Sequence, residues 1–571
     1  MENKLETSTI NNNQTDTPAN KMFAGGKDAP LYPDPPQGGL PSMTVQQNSL
    51  GALPGFKPTE QPGNIKDNPQ MSQEQPKPGQ AAIINLLVSL ALKHATFNHT
   101  PEEEPFASIK VGGHIENVPT NSRKFIQWIT RIYYKETGDA PSKQELEKAL
   151  RLIEAQALFD GKMIQLHIRY AEHGDCIFVD LCNREWEQVK ISATGWEIIS
   201  SIVSPIKFVR HPGMAELPKP VKGGSFDDFR KFLNIESNED WVLIIAWIIG
   251  AMKKSGPFPI LCLHGEQGTG KSFTAKLIRE LVDPSTVALQ SLPRTERDHV
   301  INAKKTWLLN YDNLSGIRND LSDALCRTAT GGGFRTRKLR TDTDEILFSS
   351  VRPMMMNGIV DVALRNDLAD RSLIINLPLI SERLAEKEIY KKWVALKPGI
   401  LGAFYTAVSA ALKNYHNVKL EKLPRMADFA IWVSAAEQAL PWESGSFIME
   451  YGNNRKRLKA NTIEADLVAL AVVKMVGNVS SHEWTGTATE LLKTLEHYND
   501  FTDSANWPKQ PNALSGRLKR IAGALRDKGI ETKRGKNGNR FIHIFTNEKY
   551  NTNTELPEIE VPAPPVSTEQ N

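Results

Sequence analysis

The sequence predicts an α/β core with an α+β domain on its N-terminal side and a small helix–hairpin module on its C-terminal side. Three observations predict it. Residues 264–272 read HGEQGTGKS, a glycine-rich loop between a short apolar run and a helical pattern. From about 225 to 385, further apolar runs of strand length follow that loop, each ending in a polar residue. Residues 484–545 pass from two helical patterns into two strand-like runs around a basic, glycine-rich turn.

A chain of 571 residues has room for three or four domains. With 40% hydrophobic and 24% charged residues and a net charge of +3, local rather than total charge must decide its partners. The four cysteines, Cys176, Cys182, Cys262 and Cys326, contain no CxxC pair and read as reduced thiols, not as a disulfide frame or zinc site. The most apolar run, WVLIIAWIIGAM at 241–252, is too short to span a bilayer and is expected as a buried helix beside the core. No signal-peptide pattern opens the chain, so a cytoplasmic protein without a membrane partner is expected. Residues 1–80 hold 12 of the 35 prolines and few large apolar side chains, and 550–571 are acidic and proline-rich. Neither segment buries enough surface to offset its chain entropy, so both are expected to be disordered tails.

Residues 81–215 are expected to form one α+β accessory domain. Its helices fall at 84–95 and 143–159, and its strands at 163–171, 175–181 and 186–192. A nucleotidyl-transfer centre there would need paired acids for two metals, and no D-x-D occurs in the region. The stretch RHPGMAELPKPVKGG at 210–224 reads as a linker. Residues 386–475 read as a mostly helical region.

The core, 225–385, is where chemistry is legible. PFPILCLH (257–264) reads as a buried strand, and SFTAKLIRELVD (272–283) as a helix with Phe273, Leu277, Ile278 and Leu281 on one face. Between them Gly265, Gly268, Gly270, Lys271 and Ser272 fit G-x-x-x-x-G-K-[ST]. Glycines let backbone N–H groups turn inward around phosphate oxygens, and the helix N-terminus adds partial positive charge. Lys271 reaches the β and γ phosphates, and the Ser272 hydroxyl suits Mg²⁺. Gly265, Gly268, Thr269, Gly270, Lys271, Ser272 and Phe273 are therefore the expected contacts of a nucleoside triphosphate, with ATP and Mg²⁺ as cofactors.

Further along, TWLLNYDN (306–313) is an apolar strand ending in Asp312, an acid placed to hold Mg²⁺ and orient water. GGGFRTRKLRTDTDEILFSS (331–350) reads as a hairpin with Arg335, Arg337, Lys338 and Arg340 clustered at its middle, suited to phosphate contacts. VRPMMMNG (351–358) is a strand ending in Asn357, whose amide suits sensing a γ-phosphate. LRNDLADRSLIINLP (364–378) sets Arg365 and Arg371 before another strand, where an arginine can serve a neighbouring subunit's nucleotide; an ion pair that only builds the fold is the competing reading.

In 484–545, WTGTATELLKTLEHY opens one helix, NALSGRLKRIAGALRDKGI forms a second, and ETKRGKNGNRFIHIF forms a hairpin. This order predicts a winged helix. From Lys509 to Arg540 there are ten basic residues against two acids. Arg517, Lys519 and Arg520 on the helix, with Lys533, Arg534 and Lys536 on the wing, are the expected DNA contacts; protein contact by the same module is the alternative.

The order of these parts resembles the superfamily 3 helicases, AAA+ motors of viruses, phages and plasmids. GEQGTGKS corresponds to the family's Walker A, WLLNYDN to its Walker B, RTRKLRTDTDEILF to its basic hairpin and RPMMMNG to its motif C, with Arg371 at the finger position. More narrowly, residues 100–545 resemble ATPases of phages and integrated elements related to poxvirus-type primase–helicases. The resemblance implies a ring, expected as a hexamer, with ATP between subunits and single-stranded or forked DNA in its channel. It also implies partner replication proteins. One position departs from the family: many members end Walker B with two acids, and here Asn313 follows Asp312. Glu266 inside the loop, or Asp312 itself, is left as the group that activates water. Two other readings stand beside the helicase: a primase–helicase, which would need the acid cluster that 81–215 lacks, and a DNA-binding ATPase switch without translocation.

Overall fold

The computed structural model describes residues 79–546 apart from 254, 338–344, 349–350, 359–365, 382–384, 465, 479–481, 500–506 and 538. Side chains at 334–337, 345–348, 366, 459–464, 536–537 and 539 are also outside the description. The two segments expected as disordered tails, 1–78 and 547–571, lie outside the described residues, together with Lys338, Arg340 and Arg365.

The N-terminal unit comprises α1 (Gly79–His94), β1 (Ala95–His99), β2 (Pro105–Val111), β3 (His114–Pro119), α2 (Arg123–Thr137), α3 (Lys143–Phe159) and β4 (Lys162–Met163). Its sheet runs β3-β2-β1-β4. Ser122 caps α2 by accepting from the Phe125 N–H, and Ser142 with Glu145 forms a capping box on α3. Leu87, Leu90, Phe125, Ile129 and Ile153 close its own core.

Next come β5 (Leu166–His167), β6 (Tyr170–His173), β7 (Cys176–Asp180), β8 (Glu187–Ser192), β9 (Gly195–Ser200) and β10 (Lys207–Phe208). The antiparallel sheet β6-β7-β8-β9 alternates its faces. Phe178 joins Ile206 and Phe208 on one side, whereas Ile177, Val179, Val189 and Ile191 enter the large central core on the other. The single strand expected over 163–171 is therefore three short pieces, broken where Arg169 takes a left-handed backbone at φ 58. Residues 81–215, expected as one domain, divide between a sheet with its own core and a sheet sharing the core of the centre. Nor does 210–224 behave as a loose linker. The Val221 N–H donates to the Pro398 carbonyl, and at Gly402 a β-carbon would lie 1.9 Å from the Val221 carbonyl oxygen.

The centre comprises α4 (Phe226–Arg230), α5 (Asn238–Ala251), β11 (Ile260–His264), α6 (Lys271–Val282), α7 (Glu296–Lys305), β12 (Leu309–Leu314), α8 (Asn319–Thr330), β13 (Phe334–Arg337), β14 (Glu345–Phe348), β15 (Met354–Gly358), α9 (Asn366–Ala369) and β16 (Ser372–Asn376). Four strands form a parallel sheet in the order β12-β15-β11-β16, which requires crossover connections and buries both faces. Gln290 adds a parallel bridge to Tyr311 outside β12. The apolar run at 241–252 is α5, buried from Asp240 to Ala251, as a helix apolar on every side must be. β13 and β14 form the antiparallel hairpin expected near 331–350.

Three helices follow: α10 (Glu386–Asn414), α11 (Ala427–Ala436) and α12 (Ser446–Glu464). By length and composition α10 could cross a bilayer, but Trp393, Ile400, Phe404 and Val408 are packed into the central core. The C-terminal module has α13 (Leu467–Asn478), β17 (Glu483–Gly486), α14 (Ala488–Glu496), α15 (Pro511–Asp527), β18 (Ile530–Asn537) and β19 (Asn539–Thr546). Its sheet is β17-β19-β18. Two expectations change here. The helix at 467–478, placed by sequence with the preceding helical region, packs instead with Leu491, Leu518, Ile521 and Ile544. Residues 484–486, expected to begin a helix, pair with β19, and the helix starts only after Thr487, which forms a capping box with Glu490.

Candidate functional site

The site grows from the carboxyl ends of the parallel strands, where open α/β sheets bind ligands. β11 is fully buried from Ile260 to Leu263 and paired on both sides, so the chain leaves the sheet at a fixed point. The loop then turns through Gly265, Gly268 and Gly270 at φ 145, 93 and 83. A β-carbon at Gly265 would lie 2.6 Å from the Leu377 carbonyl oxygen, so the loop closes only with glycine there. α6 starts at Lys271 with no side-chain cap, leaving its first N–H groups to the loop interior.

Lys271 folds into that interior. Its Nζ donates to the carbonyls of Gly265 at 2.8 Å and Glu266 at 2.6 Å. Partial burial lowers its pKa, against the attraction of Asp312. Thr269 is buried and donates to the Glu266 carbonyl at 3.0 Å. Glu266 itself is exposed, and the Phe273 side chain packs against the central core. Asn234 was not anticipated. Its Nδ2 donates to the carbonyls of Thr269 at 3.1 Å and Pro378 at 2.6 Å, tying the loop to the segment after β16. It lies thirty residues before the loop with no motif around it, so only the folded chain reveals it.

Ser272 donates through Oγ to Asp312 Oδ1 at 2.9 Å, joining the first turn of α6 to the end of β12. A hydroxyl and a carboxylate side by side are hard oxygen donors that fit Mg²⁺, which keeps most of its shell as water and phosphate oxygens. Among the described residues no group of three or more His, Cys, Asp or Glu could hold a metal. Asn357, one residue before the end of β15, lies beside them. It is 1% exposed, its Oδ1 accepts from the Asn313 N–H at 2.8 Å, and its Nδ2 is buried with no partner among the described residues. Lys271, Ser272, Asp312 and Asn357 thus converge. A cavity of about 350 Å³ reaches Asp312 alone of these four, and is lined also by Asn313, Arg294 and Arg318 among others.

Arg371 is elsewhere. Its carbonyl accepts from the Ile260 N–H, at the amino end of the sheet. With β16 parallel to β11, it stands roughly 15 Å from the loop of its own chain. Its guanidinium pairs with Asp367; burial opposes ionisation there, but that pairing holds the carboxyl below its usual range. Arg337 lies on β13, beside the undescribed Lys338 and Arg340.

On the C-terminal module Lys519 and Arg520 are exposed along α15. Arg517, expected to touch DNA, also takes part in the fold: its Nε donates to Asp466 at 2.8 Å, and Asp466 caps α13 through the Val468 and Ala469 N–H groups. Lys533 sits 4.9 Å over the Phe545 ring, and Arg534 donates to the Ser515 carbonyl. Lys536 lies on β18, its side chain outside the description.

Residues 226–444 match the family of the actinomycete integrative conjugative element replication protein, and residues 468–557 match the C-terminal domain of that family's RepA. Among solved structures, the SCCmec type IV Cch active helicase is similar at 14% identity and a TM-score of 0.42, over 79% of this chain and 94% of that one. The apo C-terminal region of NrS-1 is similar at 11% identity and a TM-score of 0.38, over 81% and 98%. Likeness at these scores carries no argument about function. A comparison with curated proteins gave no match.

Proposed function

We propose that this chain is an ATP-hydrolysing DNA motor that serves replication of a mobile genetic element. The observation that carries the reading is the convergence of Lys271, Ser272, Asp312 and Asn357 at the carboxyl ends of a parallel sheet ordered β12-β15-β11-β16. That order, extended by Gln290 beside β12, supports an AAA+ core of the superfamily 3 kind. The match of 226–444 to a replication-protein family supports the biological setting.

The residues divide the work. The uncapped N–H groups of α6 and the Lys271 ammonium bind and orient the phosphates of ATP. Ser272 and Asp312 would hold Mg²⁺, which when bound neutralises phosphate charge. Asn357 offers its amide N–H to a γ-phosphate oxygen or to the attacking water. Arg371, too far from its own loop, serves the nucleotide of the next subunit in a ring, with a hexamer as the expected assembly. The three helices and three-stranded sheet of 467–546 act as a winged helix that holds DNA through Lys519, Arg520 and the wing. Arg337, Lys338 and Arg340 are proposed as further DNA contacts.

The test is ATP turnover by the purified protein with and without single-stranded DNA, beside its mass by light scattering. Stimulation in a ring-sized assembly is expected. Strand displacement that fails while ATP is hydrolysed would refute translocation. Asn313, in place of a second acid after Asp312, favours one other reading, a nucleotide-dependent DNA-binding switch. Slow turnover by a DNA-indifferent monomer would favour that switch.

A further inference from the structure

We propose that Asn313 is a positioning residue: its backbone, not its side chain, orients the Asn357 amide toward the nucleotide. This rests on the reading of the site as an ATPase centre.

By sequence Asn313 looks like a missing carboxylate. The sheet register gives it a different task. β12 and β15 pair as Leu309 with Met354, Asn310 with Met355 and Tyr311 with Met356, and pairing resumes at Leu314 with Gly358. β12 therefore advances three residues while β15 advances two, so one extra residue is inserted at Asp312–Asn313. Asn313 absorbs the insertion with φ 56, a left-handed backbone that asparagine tolerates better than any residue except glycine.

The turn has a chemical result. It directs the Asn313 N–H onto Asn357 Oδ1 at 2.8 Å. A backbone N–H can only donate, so the atom facing it must be the amide oxygen. The amide is thereby prevented from flipping, and its NH₂ is committed to the remaining direction. That group is buried, its residue being 1% exposed, and has no partner among the described residues. A buried donor is normally satisfied, so one held in a fixed direction without an acceptor points to a ligand oxygen. Asp312, the other half of the bulge, turns onto Ser272. One inserted residue thus aims both the carboxylate and the amide. A second acid at 313 would not improve this device, because the Asn313 side chain is exposed while its N–H does the aiming.

The experiment compares Asn313→Gly, Asn313→Ala and Asn313→Val in the full chain, with Asn357→Ala and the Asn313→Val/Asn357→Ala double variant. ATP turnover and equilibrium ATP binding are measured for each. Glycine accepts the left-handed backbone and keeps the N–H, so it should retain turnover within about threefold. Valine resists that backbone and should lower kcat by about tenfold or more, with ATP affinity changed by less than about threefold. Alanine should fall between, and serves if the valine variant does not fold. The double variant should lose no more turnover than Asn357→Ala alone, since both changes remove one device. Equal losses in the glycine and valine variants, or additive losses in the double, would overturn the proposal. Hydrogen exchange offers a readout independent of activity: the Asn313 amide should be protected in the wild type and exchange faster in Asn357→Ala. Unchanged exchange would also overturn it. A wild type that binds no ATP would refute the ATPase reading, while the exchange result still decides the role of Asn313.

Discussion

Asp283→Ala should be among the most damaging single changes outside the glycine loop. Asp283 ends α6, the helix that begins at Lys271, and is 2% exposed. Its Oδ1 accepts from Arg169 Nε at 2.9 Å, and its Oδ2 accepts from the Trp307 and Leu308 N–H groups, each at 3.1 Å. Arg169, 0% exposed, also donates to the carbonyls of Asp180, Ala215 and Pro284. One carboxylate therefore joins α6, the strand leading to Asp312 and the sheet β6–β9. Removing it leaves a guanidinium buried without its counter-charge, which costs about 3–5 kcal/mol. Two unsatisfied buried N–H groups each add about 1–3 kcal/mol, less whatever relaxation recovers. The apparent midpoint of a thermal scan should fall by roughly 5–10 °C. Lys231→Ala, which breaks the exposed pair with Asp228, should shift it by less than about 2 °C. If Asp283→Ala lies within about 2 °C of wild type, the buried network does not hold the sheet to the core and the reasoning fails.

Lys271→Ala should abolish ATP binding or hydrolysis, read by equilibrium binding and phosphate release; normal turnover would remove the loop from the site. Arg371→Ala should keep ATP binding but lose about 10³-fold or more in hydrolysis. Mixing it with Lys271→Ala should restore some turnover at hybrid interfaces, and no restoration would argue against action across subunits. Lys519→Ala with Arg520→Ala should weaken DNA binding and reduce the salt slope by about two, while Arg517→Ala should lower stability and leave that slope unchanged. His299 is fully buried between the Tyr311 hydroxyl at 2.9 Å and Thr328 Oγ1 at 2.8 Å, and burial, aided by Arg327, lowers its pKa to about 4. The unfolded chain binds that proton near pH 6.5, so His299 should destabilise the protein progressively as pH falls from 6.5 to 4, by on the order of 3 kcal/mol in total. Denaturation midpoints across that range should flatten in His299→Gln.

Much of the site was legible before folding because its parts are local. A strand, a glycine turn and a helix start lie within about twenty residues, so the strand–loop–helix form of HGEQGTGKS follows from spacing alone. α5 was legible for a similar reason, since a run apolar on every side has only a buried place to go. The capping boxes at Ser142 and Thr487 are local too, though the second lay inside what read as one continuous helix. Alternation misread 163–171, because a backbone reversal at Arg169 leaves no mark in a hydrophobic pattern.

The sequence by itself determined the glycine loop between strand and helix, the acid and amide that follow it, the buried helix and the basic character of the C-terminal module. Each depends on residue type and short spacing. Only the tertiary structure decided which partners those residues keep. Arg517 reads only as one of a basic cluster, and the fold adds a bond to Asp466 from about fifty residues away. Asn313 reads as a deficit until the strand register turns its N–H onto Asn357. The sheet β6–β9 reads as part of an accessory domain until its inner face meets α5 and α10. These assignments depend on contacts between segments distant in sequence, and such contacts are set by which faces remain to be buried once every local element has formed.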